Sequence, residues 1–231
     1  MMCVKTIIDI TGTIDEGMWN CEPPFPNIKI KPFPPIPWLG GKTVGLEVFE
    51  GFHSQTGTYL ETPAHFYGNG NSYPLIDVPV EKLIDVPCVV LNIGIREMNP
   101  DKGREPITVA DLEACFNVGE IQPGYAILVG TGWGKYWFHP DNMKCAPYFT
   151  RDAMLWLIDK KPFILGGDTP RWDTVENTQN FFEDFYAANI LMAGPFVNLE
   201  KCKAPKCSLT ILTPKIPITS CVPARAVIIE D

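Results

Sequence analysis

Proline sets the first limit on what this chain can fold into. Its 231 residues include 23 prolines, roughly double an average share. Proline removes a backbone donor and clashes inside helices, so a helical bundle is disfavoured and short strands with stiff connections are favoured. Much of the excess lies in residues 22–38, EPPFPNIKIKPFPPIPW. That segment should be extended, polyproline-like or an edge strand, lying across one domain as a cover rather than joining two. The chain is 45% hydrophobic and 20% charged, the composition of a globular protein, and is long enough to bury one sizeable core.

Strand-like and helix-like segments alternate. Short runs rich in Val and Ile, punctuated by Gly or Pro, predict strands at Thr6–Ile10, Val44–Phe49, Cys88–Ile93 and Tyr125–Gly130. Further runs predict Phe163–Leu165, Ile190–Met192, Leu209–Leu212 and Ala226–Ile229. Thr108 can cap a helix over Val109–Phe116, with Asp111 in its first turn. Thr150 can cap Arg151–Asp159, whose Met154, Leu155 and Ile158 form an apolar stripe. A third helix should start at Asn177 or Thr178 and run through Phe182, Phe185 and Tyr186. The pattern is that of one α/β domain over residues 1–231.

Lys plus Arg number 19 against 27 Asp plus Glu, a net charge of −8. That balance argues against nucleic acid or an anionic membrane surface as a partner. No apolar run is long enough to span a membrane. The N-terminus runs into Ile7-Ile8-Asp9-Ile10 without the apolar region of a signal peptide. The eight cysteines are scattered; only Cys202 and Cys207 are close, and neither CxxC pairs nor nearby histidines accompany them. Reduced thiols and a cytoplasmic location are expected.

The densest chemistry lies in residues 53–70, HSQTGTYLETPAHFYGNG, which hold two of the three histidines. Gly57 permits a turn or a close approach. Pro63 should bend the chain away from a sheet edge after Glu61. If the stretch is extended, positions 55, 57, 59 and 61 share a face. Gln55, Tyr59, Glu61 and, after the bend, His65 could then converge on one small volume. The alternative is a polar loop whose side chains satisfy one another.

This stretch resembles the signature of the cyclase family, which includes bacterial kynurenine formamidases and isatin hydrolases. The family's His-x-Gly-Thr-His-x-Asp-x-Pro-x-His aligns with Gln55-Thr-Gly57-Thr58-Tyr59-Leu-Glu61-Thr-Pro63-Ala-His65. GTGWGKYW (130–137), GGDTPRWD (166–173), FVNLE (196–200) and VPARAVII (222–229) are similar to further family segments, in the same order. The resemblance implies a swivelling β/β/α fold with a mixed sheet in a single domain. It also implies assembly into homodimers or homotetramers, and hydrolysis of a formamide, cyclic amide or lactone with a divalent zinc or manganese ion.

The ligands of that metal are where the chain departs. The first two histidines of the signature are Gln55 and Tyr59, its aspartate is Glu61, and only His65 is kept. The remaining ligands implied by the resemblance, a histidine and a glutamate, fall near Phe182 and Gly194. Gln and neutral Tyr are poor ligands, and a catalytic zinc needs three good ones. The expectation is therefore no metal, with His53, two positions before the motif, as a spare candidate.

In a metal-free pocket His65 would act as acid or base, with Glu61 orienting it or carrying the second proton. Tyr59, with Gln55 or Thr58, would donate to a developing oxyanion. Asp168, Arg171, Trp19 and Phe52 are candidates to contact the substrate, with Phe25 beside them. Arg171 could clamp a carboxylate or form an ion pair with Asp168 and Asp173, and the ion pair is the favoured reading. His139 belongs to a surface loop. The function expected is hydrolysis of a small molecule by His/Glu acid–base catalysis. The alternatives are a non-catalytic or regulatory small-ligand-binding protein, and a metal-free lyase or isomerase.

Overall fold

The computed structural model describes residues 5–21, 23–40 and 45–230; Cys3, Glu22 and Val44 lie outside them. Among the described residues thirteen strands form, in chain order. The first six are β1 (Thr6–Asp9), β2 (Lys29–Pro32), β3 (Glu47–Glu50), β4 (Tyr59–Glu61), β5 (Val86–Asn92) and β6 (Pro106–Ile107). Then come β7 (Ala126–Gly130), β8 (Tyr148–Phe149), β9 (Ile164–Gly167) and β10 (Leu191–Gly194). The last are β11 (Cys207–Leu212), β12 (Cys221–Pro223) and β13 (Arg225–Glu230). Five α-helices accompany them: α1 (Ala64–Tyr67), α2 (Val109–Glu113), α3 (Asn142–Cys145), α4 (Arg151–Asp159) and α5 (Phe182–Ala187).

Nine strands make one mixed sheet in the order β1-β13-β11-β5-β7-β9-β10-β4-β12. Its centre, β5-β7-β9-β10, is parallel, and the strands on both flanks are antiparallel. Period-two alternation divides the core between the two faces. Cys88, Val90, Ala126 and Leu128 point to one side, where they meet Ile8, Leu60, Leu209 and Ile228. Val89, Leu91, Ile127 and Val129 point to the other, where Leu112 of α2, Met154 and Leu157 of α4, and Phe185 of α5 cover them. Helices on one face of a mixed sheet give the α/β single domain expected.

The helix caps follow the sequence closely. Thr108 and Asp111 form a reciprocal capping box at α2, and Thr150 Oγ1 accepts from the Ala153 amide to start α4. The third helix departs from expectation: α5 starts at Phe182, not at Asn177 or Thr178. Residues before it are held in turns, with Asn180 at φ 55° and Gln179 N donating to Asp173.

One more expectation is corrected. The chain does bend after Glu61, which ends β4, but not at a sheet edge, because β4 pairs with β10 on one side and β12 on the other. The proline-rich segment runs beside the 53–70 stretch, with residues 26–29 lining a cavity together with His53 and Thr56. It supplies β2, which pairs with β3 in a separate two-stranded ribbon. Proline fits there because the ribbon's outer edges need no donor. That ribbon and its flanks leave Phe33, Trp38 and Phe49 exposed.

Candidate functional site

The site is built where β4 meets α1 and α5. Gly57 makes the turn into β4 with φ 74°, and a side chain there would meet Ile14 at 2.8 Å. In β4, Leu60 points into the core on the face away from α2, α4 and α5, so Tyr59 and Glu61 point to the helix-bearing side. Register places Met192 of β10 and Cys221 of β12 on either side of Glu61. Pro63 then caps α1, and His65 in its first turn comes back over Glu61. The result is a cavity of about 300 Å³ whose lining includes Gln55, Tyr59, Glu61, His65, Arg171 and Tyr186.

Glu61 is 1% exposed. Its Oε1 accepts a hydrogen bond from the Tyr186 hydroxyl. Its Oε2 is buried without a well-formed hydrogen bond, and His65 Nε2 stands 3.8 Å from it. Burial raises the Glu61 carboxyl above its usual range, opposed by His65, Tyr186, Cys221 and Gln55. Tyr59 is raised well above its ordinary value, first by burial and then by the charge of Glu61, while a hydrogen bond with Gln55 pulls the other way. Tyr186 shifts upward for the same two reasons. Both phenols are therefore neutral donors beside one buried carboxyl. The rest of the lining includes the apolar side chains of Met143, Trp172, Phe182 and Met192.

Other site candidates fall elsewhere. Thr58 Oγ1 donates to Pro195 O at 2.7 Å and accepts from Gly12 N at 3.0 Å; it ties two segments together and does not line the cavity. Asp168 is wholly buried beneath the 130–134 turn, accepting from Thr131 N, Thr131 Oγ1 and Trp133 N. Burial pushes its carboxyl up to about 6 against those donors. Asp168 is thus occupied by backbone and is unavailable to a ligand in this cavity.

Trp19 packs edge-on against Trp137 and, with His53, lines a second cavity of about 410 Å³. Phe52 is 45% exposed and leans on Phe49, and Phe25 tilts against His53. Neither ring reaches the His65 cavity. Arg171 does line it, and the expected ion pair is not formed: Asp173 accepts instead from the amides of Thr174 and Gln179. His139 is exposed, its Nδ1 accepting from Asp141 N.

The model of the cyclase family matches residues 8–174, well over half of the chain. The chain belongs to the cyclase family. No curated protein matches its sequence. Among solved structures, an isatin hydrolase bound to the product analogue thioisatinate superposes with a TM-score of 0.75 at 17% identity, covering 98% of this chain and 92% of that one. Isatin hydrolase A from Ralstonia solanacearum gives 0.75 at 20% identity over 98% and 92% of the two chains. A structure described as a potential metal-dependent hydrolase with cyclase activity gives 0.68 at 18% over 99% of each. At these identities the likeness is one of fold.

For this cyclase-family chain the donor set does not fit a zinc or manganese ion. Among the described residues no three His, Cys, Asp or Glu stand where they could hold a metal. One oxygen of Glu61 is engaged by Tyr186, and burial keeps Tyr59 protonated. Phe182, near which a family histidine ligand is expected, contributes a ring to the cavity wall. Gly194, at the glutamate position, has φ 134°, and a side chain there would meet Gly167 O at 2.6 Å.

Cys21 and Tyr186 in the cavity lining and Cys221, which hydrogen-bonds Glu61, are site residues to which the sequence alone did not point. Phe182 and Tyr186 sit one helical turn apart, so a shared face was readable. Their facing β4 was not.

Proposed function

We propose that this chain is a hydrolase that opens a small formamide, cyclic amide or lactone without a metal ion, using His65 and Glu61 to move protons. The observation that carries this reading is the buried, otherwise unpaired Oε2 of Glu61 facing His65 Nε2 at the floor of the cavity.

His65 takes a proton from water as the water oxygen bonds to the substrate's carbonyl carbon. The charge developing on the carbonyl oxygen is met by the Tyr59 hydroxyl and the Gln55 amide. Glu61, which burial favours in its protonated form, gives its proton to the leaving nitrogen or oxygen as that bond breaks. The proton held by His65 then returns to Glu61, and the pair is restored.

The separation of 3.8 Å exceeds a hydrogen bond, which favours a second reading, a small-ligand-binding protein without turnover. Chelator-dialysed protein assayed on formanilides and aromatic lactones separates the two. Activity that survives dialysis and falls about 10²–10⁴-fold in His65→Ala supports the hydrolase. Activity restored only by zinc or manganese, or unchanged in His65→Ala, refutes it.

A further inference from the structure

Arg171 stands in the cavity wall on the loop after β9, half-buried, and among the described residues its side chain forms no ion pair or hydrogen bond. None of the carboxylates on its loop or in the cavity lining pairs with it. Asp168 serves the 130–134 turn, Asp173 accepts on Oδ1 from Thr174 N at 2.7 Å and Gln179 N at 2.8 Å, and Glu61 accepts on Oε1 from Tyr186 and turns Oε2 toward His65.

The loop that carries Arg171 is fixed from outside the cavity. Arg104 donates to the carbonyls of Ala146, Pro147, Arg171 and Asp173, and Thr169 Oγ1 donates to Pro147 O at 2.6 Å. Arg104 is near enough to feel the charge of Arg171: its guanidinium is lowered to about 10, first by burial and then by Arg171, with Glu176 and Asp173 acting the other way. In a protein of net charge −8, a guanidinium that lines a small cavity and forms no ion pair among the described residues is a ready partner for an anion. Its planar fork of donors matches a carboxylate bidentately. Trp172, Phe182 and Met192 beside it provide a flat apolar wall suited to a ring.

Resting on the reading of this cavity as the reactive site, the geometry points to Arg171 as the residue that binds a substrate carboxylate. The substrate class is then a small aromatic amide or lactone bearing a carboxylate group.

The test separates recognition from turnover. Wild-type protein, Arg171→Gln and Arg171→Lys are each titrated calorimetrically with benzoate and with its neutral counterpart benzamide. Wild type should bind benzoate at least tenfold more tightly than benzamide. Arg171→Gln should abolish that preference while leaving benzamide affinity and the melting temperature unchanged. Arg171→Lys should restore only part of it, because an ammonium lacks the fork. No preference for benzoate in the wild type, or a preference that persists in Arg171→Gln, overturns the assignment.

Turnover of N-formylanthranilate and formanilide distinguishes the two failures. Absence of turnover with the benzoate preference intact sinks the hydrolase reading alone. Equal turnover of both substrates, indifferent to Arg171→Gln, sinks the carboxylate assignment alone. When both hold, Arg171→Gln raises KM for N-formylanthranilate at least tenfold with little change in kcat, and raises it far less for formanilide.

Discussion

Tyr186 donates its hydroxyl hydrogen to Oε1 of Glu61 from 125 positions away in the chain, and so decides which carboxylate oxygen is left to face His65. The strand residue is presented by register with β10 and β12, and the phenol by a helix packed on the same side of the sheet. Neither element alone makes the site.

Removing only that hydroxyl tests the relationship. Tyr186→Phe keeps the ring that stacks on Phe66 at 5.3 Å and leaves Glu61 Oε1 buried without its donor. The expected cost is about 1–3 kcal/mol in urea denaturation. The Glu61 carboxyl should also titrate higher, because a donor that favoured its charged form is gone. Unchanged stability and an unchanged pH profile would show that the hydroxyl is dispensable.

Asp168 makes stability depend on pH in a predictable direction. Its carboxyl is raised from 3.8 to about 6 by burial, so the native state holds a proton that the unfolded chain releases earlier. Its contribution is therefore most favourable below about pH 4 and is lost as pH rises to about 6, roughly 3 kcal/mol across that window. Denaturant midpoints measured at intervals between pH 4 and 7 should fall more steeply in wild type than in Asp168→Asn. Glu61 is raised in the same sense and is present in both proteins, so the difference isolates Asp168. Parallel slopes would refute this.

Arg104 sits outside the cavity but positions its wall. Four carbonyls, from two segments, accept from its guanidinium. Arg104→Met should cost about 3 kcal/mol, as several buried acceptors lose their donor together. It should also raise KM more than it lowers kcat, with faster amide exchange across residues 169–174. A stability loss without faster exchange in that loop would limit Arg104 to a purely structural part.

Elements whose residues carry their own instructions were legible from sequence. The α4 helix runs over Arg151–Asp159 as its Thr150 cap and apolar stripe indicate, and the parallel strands β5, β7, β9 and β10 fall on the Val- and Ile-rich runs. The three-residue β4 and β12 were not legible. Flanked by Gly57 and Pro63, β4 reads as a loop, and it is a strand because two neighbours supply its ladder. Likewise Gln55, Tyr59, Glu61 and His65 could be grouped by spacing, since a turn, a strand and a bend lie within eleven residues.

Thr58 and Asp168 show the opposite limit. A threonine or aspartate in a Gly-rich segment looks the same whether it awaits a ligand or bonds a distant amide. Only the approach of Gly12 and Pro195 to one, and of Thr131 and Trp133 to the other, made them structural.

By itself, then, the sequence determined a proline-punctuated α/β domain and a family signature that keeps one histidine, because side-chain periodicity and backbone restrictions act locally. Tertiary structure decided that Glu61 is buried between Tyr186 and His65, that Arg171, among the described residues, stands unpaired in the same cavity, and that the proline-rich segment supplies a strand of an exposed ribbon. Those outcomes depend on desolvation and on partners far apart in the chain, and the packed sheet is what brings them within a few ångströms.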